Sequence, residues 1–312
     1  MIVVSGGSGY VGSHVARRLA EKGKPVRVMV RNKQTAQNEG RLSNLDVEWV
    51  EADVTKPESL KPVFENAQAV IHTVAIAIEK GDKTYEEINT LGTVNVLEAA
   101  RTSEVKRFIN LSQLGADSGL PYRFLASKGR AQEYVAESDL DWTAFRPSVI
   151  WGPEDEFANT FAKLAAISPI IFPNVDKNAR FEPVWVEDVV TCLVDTIDDP
   201  QTIGREFEIG GPEVLTLEQI ERRTLEAIGS RRIMVPFPKS VLSTAVGLME
   251  KMLPNPPVTQ SLLELLQVDN VTTKNAIYQF VEEPRAFTPE AIRGYMQDFK
   301  VRQTLAQFMG RS

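Results

Sequence analysis

The amino-acid sequence predicts an α/β protein, a doubly wound parallel sheet with a smaller, mainly helical C-terminal lobe. Over residues 1–150, short apolar runs typical of strands buried on both faces alternate with longer segments of helical periodicity. Such alternation favours parallel strands joined by right-handed crossover helices. After Trp151 the regularity weakens and prolines become frequent. We therefore expect one domain over 1–150, with returning segments at about 179–210, and a C-terminal lobe over 151–312.

The chain opens with a strand, a glycine-rich turn and a helix. The apolar run Met1–Val4 precedes three regularly spaced glycines, and the helical pattern that follows ends at Gly23. Glycines let a pyrophosphate approach the backbone, and the helix N-terminus supplies N–H donors and positive potential. The alternative is a glycine turn that only packs the helix on the strand. The pattern favours a dinucleotide-binding Rossmann turn. Its predicted contact residues are Gly6, Gly7, Ser8, Gly9, Tyr10, Val11 and Gly12.

The end of the second strand, Val26–Val30, bears on which dinucleotide binds. An NAD site usually carries Asp or Glu here to hold the ribose 2′-OH, whereas this chain has Arg31, Asn32 and Lys33. A guanidinium matches a 2′-phosphate by forked hydrogen bonds. The alternative is an ordinary solvated charge at a strand end. The sequence therefore favours NADP(H) over NAD(H), held by these three residues.

The later elements continue the alternation up to Trp151. A proline at position 57 marks a further helix start. We expect strands at 47–51, 69–75, 106–112 and 141–150, and helices at 85–101 and 122–138.

Composition narrows the class of protein. The net charge of −7 and the isoelectric point of about 5.2 argue against nucleic acid as a partner. One cysteine and two distant histidines predict neither a disulfide nor a metal site. The first strand begins at Ile2, and no apolar run approaches the roughly 20 residues of a membrane span. We expect a cytoplasmic protein, with a location peripheral to a membrane kept open.

Eight segments together carry a family resemblance, end to end. The chain resembles the extended and atypical short-chain dehydrogenase/reductases. A later segment, LPNPPVTQSLLELLQVDNV, is similar to a narrower group related to the NAD(P)H-binding accessory subunit of respiratory complex I and to photosystem assembly factors. The eight segments are SGGSGYVGSHVARRL, EADVTKPESL, AVIHTVA, INTLGTVNVLEAA, RFINLSQLGAD, SKGRAQEYVAESDLDWTAFRPSVIWGP, PVWVEDVV and FEIGGPEVLTLEQI.

The resemblance implies further cofactor contacts. It places a pair of residues beside the adenine, three after the fourth strand along the cofactor, and three over the nicotinamide. These are, in that order, Asp53 and Val54; Thr73, Val74 and Ala75; and Pro147, Ser148 and Val149.

The resemblance also implies a catalytic set that this chain keeps only in part. Active relatives use Tyr as acid–base, Lys four residues later and a Ser or Thr hydroxyl on a neighbouring strand. Lys128 matches the lysine, which would also bind the cofactor, but Phe124 stands at the tyrosine position and Gln113 at the hydroxyl position. Tyr122 lies six residues before Lys128, and Ser112 is one step along its strand, which points it to the opposite face. Neither residue has the spacing of the group that it would replace.

Two hypotheses for function follow. The first is a cofactor-binding accessory or assembly protein without dehydrogenase turnover. Phe124 and Gln113, at the tyrosine and hydroxyl positions, favour this hypothesis. The second is an NADPH-dependent reductase in which Lys128, Ser112 or water supplies the proton. Sugar-nucleotide epimerisation or dehydration ranks lowest, because it depends most on the tyrosine.

The C-terminal lobe contains an amphipathic segment, SVLSTAVGLMEKML. Most apolar stripes of this kind are core, and this is the first interpretation. The second is an exposed face that meets a membrane surface or a membrane-protein complex. The acidic balance of the chain predicts that such a membrane contact is hydrophobic or protein-mediated. The stripe consists of Val241, Leu242, Ala245, Leu248, Met249, Met252 and Leu253.

Overall fold

The computed structural model describes residues 1–167, 170–174, 178–253, 256, 258–266 and 268–296. They fall into two compact units. The first comprises Met1–Pro147, Val186–Ile209 and Lys274–Glu283. The second comprises Ser148–Trp185, Gly210–Thr273 and the described residues from Pro284.

Within these ranges, thirteen strands and eleven α-helices are numbered in chain order. The strands are β1 Ile2–Ser5, β2 Val26–Val30, β3 Glu48–Glu51, β4 Ala69–His72, β5 Arg107–Leu111, β6 Asp141–Pro147, β7 Ile150–Trp151, β8 Ile171–Asn174, β9 Arg180–Phe181, β10 Val184–Trp185, β11 Arg205–Ile209, β12 Leu215–Thr216 and β13 Ile233–Pro236. The helices are α1 Tyr10–Glu21, α2 Lys33–Asn38, α3 Lys61–Phe64, α4 Gly92–Thr102, α5 Arg123–Glu137, α6 Ala158–Ile167, α7 Val186–Asp195, α8 Leu217–Ala227, α9 Lys239–Met252, α10 Gln260–Leu265 and α11 Pro289–Met296.

The first unit is built on a seven-stranded sheet, ordered β11-β6-β5-β4-β1-β2-β3, in which all neighbours are parallel. The strand order reverses between β1 and β4, so the loops that leave these two strands diverge. A crevice at this switch point, outside the carboxyl ends of the strands, is where ligands bind in such sheets. The doubly wound α/β fold is therefore confirmed.

Three predicted elements differ from the observed ones. The strand expected over 69–75 ends at His72, after which Thr73 donates its N–H to Ser5 and the chain leaves the sheet. The helix expected over 85–101 begins with a wider π-helical turn, Glu86–Leu91, before α4. The strand expected over 141–150 ends at Pro147, because β7 pairs with β10 in a separate sheet.

A buried arginine joins β5 to the segment that returns to the first unit. The Arg107 guanidinium donates to the Thr196 carbonyl at 2.7 Å and to Thr202 Oγ1 at 2.8 Å. It also donates to Asp141 O and Thr143 Oγ1 of β6. Burial lowers the pKa of Arg107, but carbonyl and hydroxyl acceptors surround the guanidinium, so the cation is satisfied inside the unit.

The second unit combines helices α6 and α8–α11 with three two-stranded sheets, β7–β10, β9–β12 and β8–β13. Its core centres on aromatic side chains. The Trp151 ring contacts those of Trp185 and Phe287 at centroid distances of 4.5 and 5.1 Å. Buried Phe161, Phe172 and Phe181 extend the same cluster. Among the described residues no helix is both long and apolar enough to cross a bilayer.

Candidate dinucleotide site

The turn between β1 and α1 leaves no space for side chains at two of its glycines. Gly6 has φ +78°, and a Cβ there would lie 3.0 Å from Thr73 Oγ1. A Cβ on Gly12 would lie 2.2 Å from the Gly6 carbonyl oxygen. The Gly9 N–H donates to that same carbonyl at 2.9 Å and closes the turn. Backbone therefore packs against backbone here, as the sequence predicts for a phosphate-binding turn.

The N-terminus of α1 has the electrostatics of an anion site. Gly9 stands at the N-cap and has no side chain to satisfy the first N–H groups, and the first turn holds no acidic residue. The aligned peptide dipoles add positive potential there. A pyrophosphate fits these donors in both charge and steric access.

A cavity of about 330 Å³ lies in the first unit beside this turn. Half of its lining was predicted from the sequence and half was not. The predicted lining residues are Gly6, Ser8, Gly9, Arg31, Asp53, Val54, Thr73, Val74 and Ala75. The unpredicted ones are Met29, Val30, Ala52, Thr55, Ile76, Asp82, Lys83, Glu87 and Ile88.

Several of the unpredicted residues belong to the loop after β4, which carries no recognisable motif. Asp82 and Lys83 both line the cavity. Glu79 anchors the loop, because its carboxylate accepts from the Tyr85 N–H at 2.8 Å and from the Arg123 guanidinium at 2.7 and 2.9 Å. Tyr85 in turn donates its hydroxyl proton to the Ala77 carbonyl. These contacts hold one wall of the cavity against α5.

The residues after β2 have different roles. Arg31 lines the cavity, whereas Asn32 and Lys33 do not belong to its lining. Asn32 caps α2, because its Oδ1 accepts the Thr35 N–H at 2.8 Å. The Lys33 N–H donates to Glu51 Oε2. Of Arg31, Asn32 and Lys33, Arg31 alone therefore borders the cavity.

An arginine that the sequence did not single out supports the glycine turn. Arg41 donates from Nη1 to the Ser8 carbonyl at 2.9 Å. Arg17 of α1 donates to the Arg41 carbonyl at 3.0 Å and holds this residue in place. No periodic pattern marks position 41, so only the structure connects it to the turn.

Asn89 holds the chain after β4 in position. Its Oδ1 accepts the Ile76 N–H at 2.8 Å, and its Nδ2 donates to the Ile76 carbonyl and to Ser127 Oγ. His72 ends β4 in full burial, with Nδ1 2.7 Å from Ser5 Oγ and Nε2 3.1 Å from Thr93 Oγ1. Burial, helped by the charge of Lys128, lowers the pKa of His72 to about 3. The histidine is therefore neutral near pH 7 and serves as a hydrogen-bonding core residue.

Two of the residues that the family resemblance singled out, Lys128 and Ser112, lie at the end of β5. Lys128 is buried, and its Nζ donates to the Leu111 carbonyl at 2.8 Å. Burial lowers its pKa to about 8.

Phe124, one turn earlier on α5, meets the Tyr85 ring edge-on at 5.7 Å and carries no ionisable proton. Tyr122 precedes the helix as its N-cap. The Ser112 hydroxyl is buried without a hydrogen-bond partner among the described residues.

Pro147, Ser148 and Val149 are divided between the two units. The Pro147 carbonyl accepts from the Leu114 N–H within the first unit. In the second unit, the Ser148 hydroxyl lies 2.7 Å from Asn270 Oδ1 and accepts from the Glu182 N–H. The Val149 carbonyl accepts from the Val184 N–H. Their role at the nicotinamide stays a prediction.

The described residues contain no cluster of His, Cys, Asp and Glu that could hold a metal ion. The single cysteine, Cys192, is buried in α7, where burial raises the pKa of its thiol above the ordinary range. The structure thus brings together a glycine turn of the phosphate-binding type and a cavity with Arg31 at its border, whereas Lys128 is not among the residues that line this cavity.

Comparisons with known proteins show which family the chain resembles. A family model described as NAD(P)H-binding matches residues 6–162. The mitochondrial NADH dehydrogenase (ubiquinone) 1 alpha subcomplex subunit 9 of Arabidopsis thaliana is 26% identical over 310 residues, covering 96% of this chain and 76% of that protein. Ceramide reductase of Caulobacter vibrioides is 27% identical over 250 residues, covering 80% of this chain and 77% of that protein.

Solved structures share the fold at lower identity. UDP-glucose 4-epimerase of Thermus thermophilus, in complex with NAD, superposes with a TM-score of 0.71 at 19% identity. The match covers 96% of this chain and 99% of the epimerase. At this identity the likeness establishes the Rossmann architecture and nothing finer.

Proposed function

Because the chain belongs to the atypical short-chain dehydrogenase/reductase superfamily and carries its NAD(P)H-binding domain, we propose that it is an NADP(H)-binding accessory or assembly protein without tyrosine-dependent turnover. One observation carries the second half of this proposal. Phe124 occupies the position one helical turn before Lys128, where the acid–base chemistry of the family needs a phenol. A phenyl ring can neither donate nor accept the proton.

The cofactor half rests on the fit of the residues present. The cradle at Gly6 and Gly12 excludes a Cβ, and the uncapped α1 N-terminus favours an anion. Gly6, Ser8 and Gly9 would hold the pyrophosphate, and Asp53 and Val54 would border the adenine. Arg31 would hold a 2′-phosphate by forked hydrogen bonds, which is why we favour NADP(H) over NAD(H).

Lys128 would have a binding role in this proposal. Its buried ammonium is positioned by the Leu111 carbonyl, at the carboxyl end of β5. A cation there can donate to a ribose hydroxyl whether or not chemistry follows. A bound dinucleotide would thereby stabilise the fold by mass action, since it binds the folded chain and not the unfolded one.

The accessory role draws on the relatives. The Arabidopsis protein is a subunit of an NADH dehydrogenase, and its similarity spans nearly all of this chain. We propose that this chain likewise works as a cofactor-loaded module attached to a protein assembly. We propose a cytoplasmic location for it.

A reductase is the second candidate, favoured by Lys128 itself and by the similarity to ceramide reductase. When bound, a reduced nicotinamide supplies a hydride to a carbonyl carbon. With a pKa of about 8, Lys128 can give the oxygen its proton near neutral pH, and the product is the alcohol. Its present bond to Leu111 O leaves two further ammonium protons for such donation.

The proposal is tested in two measurements. The protein is purified without added nucleotide, and what co-purifies is identified by mass spectrometry; NADP(H) is expected. NADPH oxidation is then followed with a panel of aldehydes and ketones, and no carbonyl-dependent oxidation is expected.

Two variants separate the outcomes if turnover is seen. Loss of turnover in Lys128→Met but not in Tyr122→Phe would establish the reductase instead. Loss in Tyr122→Phe would identify Tyr122 as the acid and overturn our interpretation of α5. Co-purification of no nucleotide, with no binding of NADPH or NADH by calorimetry, would refute the cofactor half.

A further inference from the structure

One side of α9 in the second unit exposes apolar side chains. Val241 is 51% exposed, Leu248 59% and Met252 72%. Separations of seven and four residues place these three on the same side of the helix. The segment that the sequence marked as either core or docking face is therefore divided between both roles.

The opposite side of α9 is packed, which fixes how the helix is oriented. Val246 is buried in a cluster with Val258 and Leu263, and Leu242 and Met249 pack against it. The side chain of Gln260 in α10 makes two hydrogen bonds to Ser243. The Ser243 hydroxyl donates to Gln260 Oε1 at 3.0 Å, and Gln260 Nε2 donates to the Ser243 carbonyl. Because this side already has its partners, the exposed stripe is a surface and not a displaced core face.

The sequence segment that contains this helix differs in charge from the chain as a whole. Residues 228–253 contain four basic residues and one acidic residue, a net charge of +3, although the whole chain carries −7. Three basic residues precede the stripe in sequence, at 231, 232 and 239, and Lys251 lies within it, beside Met252. The single acidic side chain, Glu250, accepts from the Gln260 N–H.

A second exposed apolar group lies on the strand pair that leads into α9. Ile233 begins β13 and pairs with Ile171 of β8, and its N–H donates to the Ile170 carbonyl. All three isoleucine side chains are exposed. Only two residues separate the end of β13 from the start of α9.

From these observations we infer that α9 docks the protein onto a bilayer surface that contains anionic lipid. Helices that lie in the interface between water and the bilayer combine an apolar face with basic residues. The burial of apolar side chains among the acyl chains and the attraction to anionic headgroups both contribute to the binding free energy. Charges farther than about 8 Å from the surface are largely screened at physiological salt, so the basic residues of this segment act on the headgroups more strongly than acidic residues at greater distance. The docking does not depend on the function proposed above.

The inference is tested by vesicle flotation of the full chain. Phosphatidylcholine vesicles are compared with vesicles of phosphatidylcholine and phosphatidylglycerol. Wild type is expected to float with the second and to be released by salt. The double variant Leu248→Asp/Met252→Asp should lose at least tenfold in partitioning, and Arg231→Gln/Lys251→Gln should lose its preference for the anionic vesicles. Val214→Asp, at another exposed apolar position of the same unit, is the matched control and should float as wild type does.

Two further measurements on the same samples distinguish a loss of membrane binding from a loss of folding. Thermal unfolding and NADPH binding are measured on each variant, and the single variant Met252→Asp replaces the double one if the latter unfolds. Wild type that floats with neither vesicle overturns the inference, and so do aspartate variants that float like wild type. A wild-type dimer that Leu248→Asp/Met252→Asp converts to a monomer in light scattering would assign the face to a second copy of the chain, and this too would overturn it.

Discussion

Lys128 Nζ and the Leu111 carbonyl oxygen lie 2.8 Å apart, and this hydrogen bond holds a buried ammonium at the end of β5. The same helix face carries Phe124 one turn earlier. The cation thus persists at its position while the phenol whose pKa it would lower is missing.

Replacing Arg31 should separate the two nicotinamide cofactors. Arg31 is the residue after β2 that borders the cavity, and a hydrogen bond to a charged group contributes about 1.5–3 kcal/mol. Arg31→Ala should weaken NADPH binding by that amount and leave NADH binding nearly unchanged, as measured by calorimetry. Lys33→Ala is the matched control, since Lys33 does not line the cavity. Equal affinity of wild type for both cofactors would contradict the preference.

Replacing Arg41 should act on both cofactors alike. Arg41 holds the Ser8 carbonyl within the glycine turn, so its loss frees the backbone that would contact the pyrophosphate. We expect Arg41→Ala to weaken NADPH and NADH binding equally, by about 0.5–1.5 kcal/mol, the usual worth of one hydrogen bond. The exposed Arg101→Ala serves as control. A loss confined to NADPH would show instead that Arg41 contacts the 2′-phosphate.

The pKa of Lys128 predicts a pH dependence of stability. Folding lowers this pKa from 10.5 to about 8, so between these values the unfolded chain binds a proton that the folded chain does not. The free energy of unfolding should therefore rise with pH across this window, by at most about 3 kcal/mol from this group. Urea unfolding at about pH 7 and about pH 10 measures it.

The Lys128 contribution is isolated by substitution. Lys128→Met should lack the rise, because it has no group to titrate in either state. The exposed Lys61→Met should keep it. Identical pH profiles for wild type and Lys128→Met would show that Lys128 titrates normally.

Restoring the missing phenol should reveal its coupling to the lysine without any substrate. In Phe124→Tyr, the new hydroxyl lies one helical turn from Lys128, and a nearby ammonium lowers the pKa of a phenol below its usual value of about 10. An ultraviolet titration should show a tyrosinate step below that value. The step should move back up in Phe124→Tyr/Lys128→Met. A step at the same pKa in both variants would show that the phenol and the ammonium are not coupled.

The sequence predicted those parts that repeat or that follow from spacing. The apolar runs and glycines determine β1, α1 and the alternation of strands and helices, because burial on both faces and close backbone packing constrain the residue types. Arg41 and the loop around Asp82 were missed, since loop residues carry no periodic pattern. The role of Asn32 as a helix cap was also hidden, because capping and cofactor binding use the same polar residue at the start of α2.

The stripe on α9 illustrates another limit. Helical periodicity predicted one apolar side, and all of its members were equivalent candidates for the core. The structure separates Leu242 and Met249, which pack against a buried cluster, from the exposed Leu248 and Met252, and this division depends on where α10 packs. A single sequence does not contain that information, because contacts between distant segments decide it.

The bonds from Arg107 to Thr196 and Thr202 have a consequence for how the chain is made. During synthesis, β5 leaves the ribosome long before those two acceptors exist, and β11 comes later still. The Phe145 ring of β6 packs against the Phe280 ring at a centroid distance of 5.2 Å in the folded unit, and Phe280 is translated much later. Until these segments are made, β6 is an unpaired edge of the nascent sheet, and the Arg107 guanidinium lacks two of its hydrogen-bond acceptors. The first unit therefore begins to be translated before the second, but it is completed only after Lys274–Glu283 have been made.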